Sequence, residues 1–192
     1  APAGNYTLTV TDDRGCQDVY SYTITEPLAP LSLTLIGTDI LCNGEATGAV
    51  EAIVDGGTPG YNYAWSNGGT TATITGLTAN TYDLIVTDNH GCTINGSQVL
   101  TEPLAPLNAT AIITNVDCYG NNSGSIDVTT TGGTLPYQYM WNNSATFILV
   151  DTTEDISAQF ADSYDLTITD GNGCTFEMNE TITEPAAPLA IT

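Results

Sequence analysis

Along most of the chain, apolar residues recur at every second position. In Tyr82-Asp83-Leu84-Ile85-Val86-Thr87, the side chains of Tyr82, Leu84 and Val86 fall on one face, and in Tyr61-Asn62-Tyr63-Ala64-Trp65 the three aromatics do the same. Leu31-Ser32-Leu33-Thr34-Leu35 and Val50-Glu51-Ala52-Ile53-Val54 also read as strands, and no stretch has convincing helical spacing. Turn signals punctuate these runs roughly every ten residues, the signature of a β-sandwich. Asp88-Asn89-His90-Gly91 predicts a hairpin turn in which Asp88 starts the turn and Gly91 takes a positive φ. Tyr82 opens a late strand after Asn80, a residue type that tolerates left-handed backbone, which resembles the tyrosine corner of immunoglobulin-like sandwiches.

The pattern repeats. Thr-Glu-Pro begins at residues 25, 101 and 183, and Asp-x-x-Gly-Cys begins at 12, 88 and 170. Both markers step by 76 and then 82 residues, which sets a single register. Cys42-Asn43-Gly44 aligns with Cys118-Tyr119-Gly120, Gly56-Gly57-Thr58 with Gly132-Gly133-Thr134, and Tyr61, Tyr63 and Trp65 with Tyr137, Tyr139 and Trp141. Trp65 precedes Tyr82 by 17 residues, whereas Trp141 precedes Tyr164 by 23, so a six-residue insertion lies within 142–162. The register predicts the C-terminal part of a repeat at 1–30, complete repeats at 31–106 and 107–188, and the start of another at 189–192. A period this long lets each unit bury its own core. The fold expected is all-β: tandem immunoglobulin-like β-sandwich repeats, one disulfide in each, arranged end to end.

Charge narrows the function. Twenty-two acidic residues face one cation, Arg14, for a formal net charge of −21. Such a surface repels phosphate backbones and suits anionic membrane surfaces poorly, so nucleic acid is not an expected partner. Membrane insertion is not expected either, because no apolar run approaches the roughly 18 residues a span needs. The acids are either solvated or neutralised by bound cations. Asp12, Asp88 and Asp170 recur at matched turns, and Glu26, Glu102 and Glu184 recur in the linkers. At a repeat junction these two sets are candidate ligands for Ca²⁺, a cation that favours oxygen donors. An Asx-turn beside a solvated acid is the reading favoured over it. Likewise the aromatic triplet reads as core, the alternative being an exposed sugar-stacking platform.

Five cysteines sort by the register: an early and a late one in each full repeat, Cys42 with Cys92 and Cys118 with Cys174, while Cys16 is the late cysteine of the partial repeat. The expectation is two intra-repeat disulfides with Cys16 unpaired. No Cys-x-x-Cys suggests a zinc site, and disulfides imply an oxidising compartment. Catalysis has no foothold: His90 is the sole histidine, its position is Arg14 and Asn172 in the other repeats, and no phosphate-cradling loop occurs.

These motifs resemble the SprB repeat family: Cys-x-Gly-x-x-x-Gly from Cys42 to Gly48, Gly-Gly-Thr-x-x-Tyr-x-Tyr-x-Trp from Gly56 to Trp65, and Tyr-x-Leu-x-Val-Thr-Asp-x-x-Gly-Cys from Tyr82 to Cys92, with a second set from Cys118 to Cys174. The resemblance implies a segment of a very large surface adhesin of Bacteroidetes, exported by the type IX system to the outer cell surface and linked to attachment or gliding motility. It supplies no catalytic residues. Asp151-Thr152-Thr153, within the insertion, is similar to the short O-glycosylation motif of that phylum, which makes Thr152 a candidate acceptor.

Two functions compete. In one, the repeats form a structural stalk or filament whose partners are neighbouring repeats of the same chain and lateral copies. In the other, each repeat binds a ligand, a carbohydrate or Ca²⁺. The linkers Glu26-Pro27-Leu28-Ala29-Pro30, Glu102-Pro103-Leu104-Ala105-Pro106 and Glu184-Pro185-Ala186-Ala187-Pro188 are short and braced by two prolines each, which favours the stalk.

Overall fold

The computed structural model describes residues 1–189; residues 190–192, which belong to the expected start of a further repeat, lie outside the described residues. Those described form fifteen β-strands and no helix. The first two, β1 (Gly4–Thr11) and β2 (Gln17–Ile24), make an antiparallel hairpin.

The first full repeat contributes β3 (Ser32–Thr38), β4 (Gly48–Asp55), β5 (Asn62–Trp65), β6 (Thr73–Leu77), β7 (Asn80–Thr87) and β8 (Thr93–Leu100). They form two sheets, ordered β3-β4-β6 and β5-β7-β8. The second repeat contributes β9 (Asn108–Thr114), β10 (Gly124–Thr131), β11 (Gln138–Asn143), β12 (Leu149–Asp151), β13 (Ile156–Gln159), β14 (Asp162–Thr169) and β15 (Thr175–Ile182), ordered β9-β10-β13 and β12-β11-β14-β15. In immunoglobulin letters the second repeat is ABE on one sheet and C′CFG on the other, so each repeat is an immunoglobulin-like sandwich. The six-residue insertion has a definite structural outcome. In the first repeat the chain turns directly after β5, with Gly68 N–H donating to Trp65 O. In the second, β11 runs on to Asn143 and the added residues form β12, a fourth strand paired to it.

The period-2 pattern packs as it predicts. Strands β4 and β10 have identical alternations of burial, and Leu84, Val86, Leu166 and Ile168 are buried on the facing strands. Trp65 and Trp141 are core residues, with Tyr137 and Tyr139 packed against the cluster that contains Trp141, so the aromatic triplet is not an open platform. Each indole N–H finds a carbonyl, Thr71 O at 2.9 Å or Glu154 O at 3.2 Å, as a buried indole requires. The tyrosine corner is present as well: the Tyr164 hydroxyl donates to Phe160 O (2.9 Å) and the Tyr6 hydroxyl to Pro2 O (2.7 Å), each four residues upstream.

By spatial contact the described residues divide into two compact units that do not follow the repeat register. The first holds Ala1–Ile36, Val50–Ile74 and Tyr82–Gln98; the second holds Gly37–Ala49, Thr75–Thr81 and the chain from Val99 onward. Three pieces of the first repeat thus group with the second repeat.

Candidate functional site

The recurring motifs converge on the linkers. Asp88 illustrates how. Its carboxylate is buried, and its Oδ1 accepts the N–H groups of His90 (2.9 Å) and Cys92 (2.8 Å), closing the turn. Oδ2 accepts the N–H of Thr58 (2.9 Å), pinning the Gly-Gly-Thr segment to the same turn. The Thr58 N–H bond, followed by those from Cys92 and His90 and the charge of His90, holds this carboxyl below the ordinary aspartate value of 3.8 against the opposing effect of burial. Asp170 repeats the arrangement with Asn172, Cys174 and Thr134, at 2.8–2.9 Å.

Gly-Gly-Thr in turn holds the linker. Gly57 N–H donates to Ala29 O (2.9 Å), and Gly133 N–H to Ala105 O (3.0 Å). Both glycines of each pair have positive φ, 72° then 59°, which side chains rarely adopt. A Cβ on Gly56 or Gly132 would collide with the carbonyl of Pro30 or Pro106, so the linker lies against bare backbone. The tyrosine three residues after Thr58 closes the set: the Tyr61 hydroxyl donates to Gly56 O, and Tyr137 donates likewise to Gly132 O.

Within the second unit, the other side of the linker is held as well. Glu102 Oε2 accepts Gly44 N–H (2.6 Å), and Asn43 Nδ2 donates to Pro103 O (2.7 Å). Linker residues 102–106 are therefore fastened to the early-cysteine loop at one end and to Gly133 at the other. Glu184 makes the matching contact with Gly120 N–H (2.6 Å).

Two of the candidate assignments need correction here. The acidic residues Asp12, Asp88, Asp170, Glu26, Glu102 and Glu184 do not assemble as a Ca²⁺ site, and among the described residues no group of three or more His, Cys, Asp or Glu side chains could hold a metal. The reason is that the carboxylates of Asp12, Asp88, Asp170, Glu102 and Glu184 accept from backbone N–H donors; Asp12 Oδ1, for instance, accepts from Arg14 and Cys16. The second correction concerns the cysteines. The disulfide joins Cys42 to Cys174, while Cys16, Cys92 and Cys118 are free and exposed. In the second repeat, pairing of Cys118 with Cys174 fails because the two sit at opposite ends of the sandwich. Cys174 immediately precedes β15, an eight-residue strand about 26 Å long, and the Cys118 loop is fastened to Glu184 just past that strand's other end. Closing a segment of 132 residues is worth about 5 kcal/mol in the chain-entropy picture. Beside the disulfide, Asn172 Nδ2 donates to Leu41 O (2.9 Å).

Two candidates remain. His90 bonds Thr58 Oγ1 through Nδ1 (2.7 Å). Thr152 is exposed after β12, with its N–H donating to Asp151 Oδ1 (2.7 Å), a bond that together with that of Thr153 lowers the Asp151 carboxyl.

A family model described as SprB repeat matches residues 34–70 and 110–146. No curated protein matches the chain. Among solved structures, it is similar to the N-terminal eight Ig domains of Down Syndrome Cell Adhesion Molecule isoform 1.30.30 (12% identity, 96% of this chain and 28% of that one, TM-score 0.48). It is similar also to extracellular domains 3–5 of Drosophila OTK (13%, 95% and 72%, 0.42) and to domains 3 and 4 of rat CD4 (10%, 94% and 95%, 0.27).

Proposed function

We propose that this chain, which carries two SprB repeats, is a structural stalk segment of an extracellular adhesin, transmitting position and load from one repeat to the next. The observation that carries this reading is the fastening of linker 102–106 by Glu102–Gly44, Asn43–Pro103 and Gly133–Ala105, with the Cys42–Cys174 bond beside it. A tether meant to let modules move independently would leave such backbone groups to water. A disulfide fits an oxidising, extracellular setting, and no helix among the described residues is long and apolar enough to cross a membrane. The net charge of −21 keeps copies of such a surface from sticking to anionic polymers. On this reading the chain is non-catalytic, its repeats are dispensable one by one for target recognition, and reach scales with repeat number. Attachment and gliding at an outer cell surface are the roles such a stalk serves.

Small-angle scattering of the whole chain tests the proposal. A single narrow distribution of dimensions, broadened when Cys42 and Glu102 are both replaced by alanine, is the expected result. A broad distribution in the unaltered chain would return the repeats to the role of independent binding modules.

A further inference from the structure

We propose that Cys42–Cys174 is one rung of a ladder in which the early cysteine of each repeat bonds the late cysteine of the repeat that follows it, and that Cys92 and Cys118 are half-rungs built to take their partners from adjoining repeats of the same chain. No within-repeat bond belongs to this scheme.

The local frames support it. Cys118 sits in a loop held like that of Cys42. Gly120 N–H reaches Glu184 Oε2 at 2.6 Å as Gly44 N–H reaches Glu102, and Val116 N–H reaches Thr183 O at 2.9 Å as Ile40 N–H reaches Thr101 O. Cys92 in turn matches Cys174, each N–H donating to Oδ1 of the turn aspartate at 2.8 and 2.9 Å. The cavities agree. Pro106, Leu107, Gly133 and Cys174 line one wall of a pocket whose other wall is Cys42 and Asn43. Their counterparts Pro30, Leu31, Gly57 and Cys92 line an open cavity with no early-cysteine loop in it. That cavity is the Cys174 site before its partner arrives, and the thiol at its edge is exposed. Even the neighbouring polar contact has its counterpart: His90 occupies the place of Asn172 and bonds Thr58 Oγ1 as Asn172 bonds Thr134 Oγ1.

The partner is in the same chain because the linker keeps the two cysteines at high effective concentration, which separate copies lack. Bond formation takes a proton from each thiol, joins the two sulfurs, and passes two electrons to a disulfide oxidant, which leaves as two thiols by way of a mixed disulfide. The ladder and the stalk reading fail separately, since one concerns connectivity and the other dimensions.

The test extends the chain: residues 1–188 followed directly by a further copy of residues 107–188, oxidised in a glutathione redox buffer and mapped by non-reducing peptide mass spectrometry. The expected map retains Cys42–Cys174, links Cys118 to the late cysteine of the added repeat, removes the maleimide reactivity of Cys118, and leaves Cys92 reactive. A bond between Cys118 and the late cysteine of its own repeat, or multimers linked through Cys92 and Cys118 of different molecules, overturns the ladder. The unextended chain carrying Cys174→Ser gives an independent reading that does not depend on folding of the added repeat. Cys42 becomes maleimide-reactive if the ladder holds, whereas a Cys42–Cys92 bond in this variant overturns it.

Discussion

Residues 4–24 and 162–182 are the same hairpin in two situations. Both pair in one register over eight residue pairs, Gly4 with Ile24 to Thr11 with Gln17 and Asp162 with Ile182 to Thr169 with Thr175, and both turn on an aspartate that caps the cysteine N–H. Yet Leu8 and Val10 are 64% and 58% exposed, while their counterparts Leu166 and Ile168 are 1% and 0% exposed. The second hairpin is covered by strands of its own repeat, Ile126 and Val128 on β10 and Ile156 on β13 among them. The turn, the register and the tyrosine corner are thus local properties of the hairpin sequence. Burial, and the stability it brings, belongs to the whole repeat.

The largest effect that tests this contrast is truncation of the matched leucines. Leu166→Ala leaves a cavity in a closed core and is expected to cost roughly 3 kcal/mol, whereas Leu8→Ala is expected to stay within about 0.5 kcal/mol. Urea titrations of the two variants make the comparison. A Leu8→Ala loss as large as that of Leu166→Ala would mean that the first hairpin's apolar face is covered in solution.

Next in size are the turn aspartates. Asp88→Asn removes a carboxylate that accepts three N–H bonds in a buried turn, whereas Asp12 is exposed. Because the folded Asp88 carboxyl titrates below 3.8, its contribution is fully present above that value and is lost as pH falls through the lowered one. The melting temperature of Asp88→Asn is therefore expected to lie below that of the parent at pH 7, and the gap to close as pH drops beneath 3.8. Asp12→Asn is expected to shift the melt less. A gap for Asp88→Asn that does not change with pH would sink the explanation.

What the sequence made legible follows the same division. Strand alternation, the hairpin turn, the tyrosine corner and the place of the insertion are carried by residues close together in the chain, and each is found where the pattern put it. The cysteine connectivity was not legible, because one early and one late cysteine per repeat suits two pairings equally well. Only the direction of β15, which carries Cys174 away from the Cys118 loop, decides between them. The acidic residues misled for a related reason. Recurrence at matched positions suggests shared ligands, but it arises equally when each repeat needs the same backbone N–H groups satisfied. The role of Glu102 as an acceptor for Gly44 had one sequence signal, the fixed pairing of a Thr-Glu-Pro linker with a Cys-x-Gly loop in each full repeat.

The smallest effect, and the one that most sharpens the comparison, lies in the tyrosine corners. Tyr164 and Tyr6 make the same bond to a carbonyl four residues upstream, at 2.9 and 2.7 Å, but Tyr164 is 3% exposed and Tyr6 is 39% exposed. Removing the hydroxyl with Phe forfeits a hydrogen bond in both cases. At Tyr164 water replaces it poorly, so the expected cost is about 1 kcal/mol. At Tyr6 solvent takes over the carbonyl and the cost is expected to be near zero. Alkaline pH then separates burial from bonding. Desolvation, and after it the charge of Asp162, raises the Tyr164 phenol above its ordinary value of 10.0. A phenol whose folded value is raised contributes stability that is present below 10 and is lost as pH rises through the folded value, because the unfolded chain ionises first. Phenylalanine has no proton to lose. The deficit of Tyr164→Phe relative to the parent should accordingly shrink as pH climbs past 10, as read from thermal melts followed by circular dichroism at matched ionic strength. A Tyr164→Phe deficit that holds constant across that range would show that burial does not perturb this phenol, and the corner would then contribute through its hydrogen bond alone.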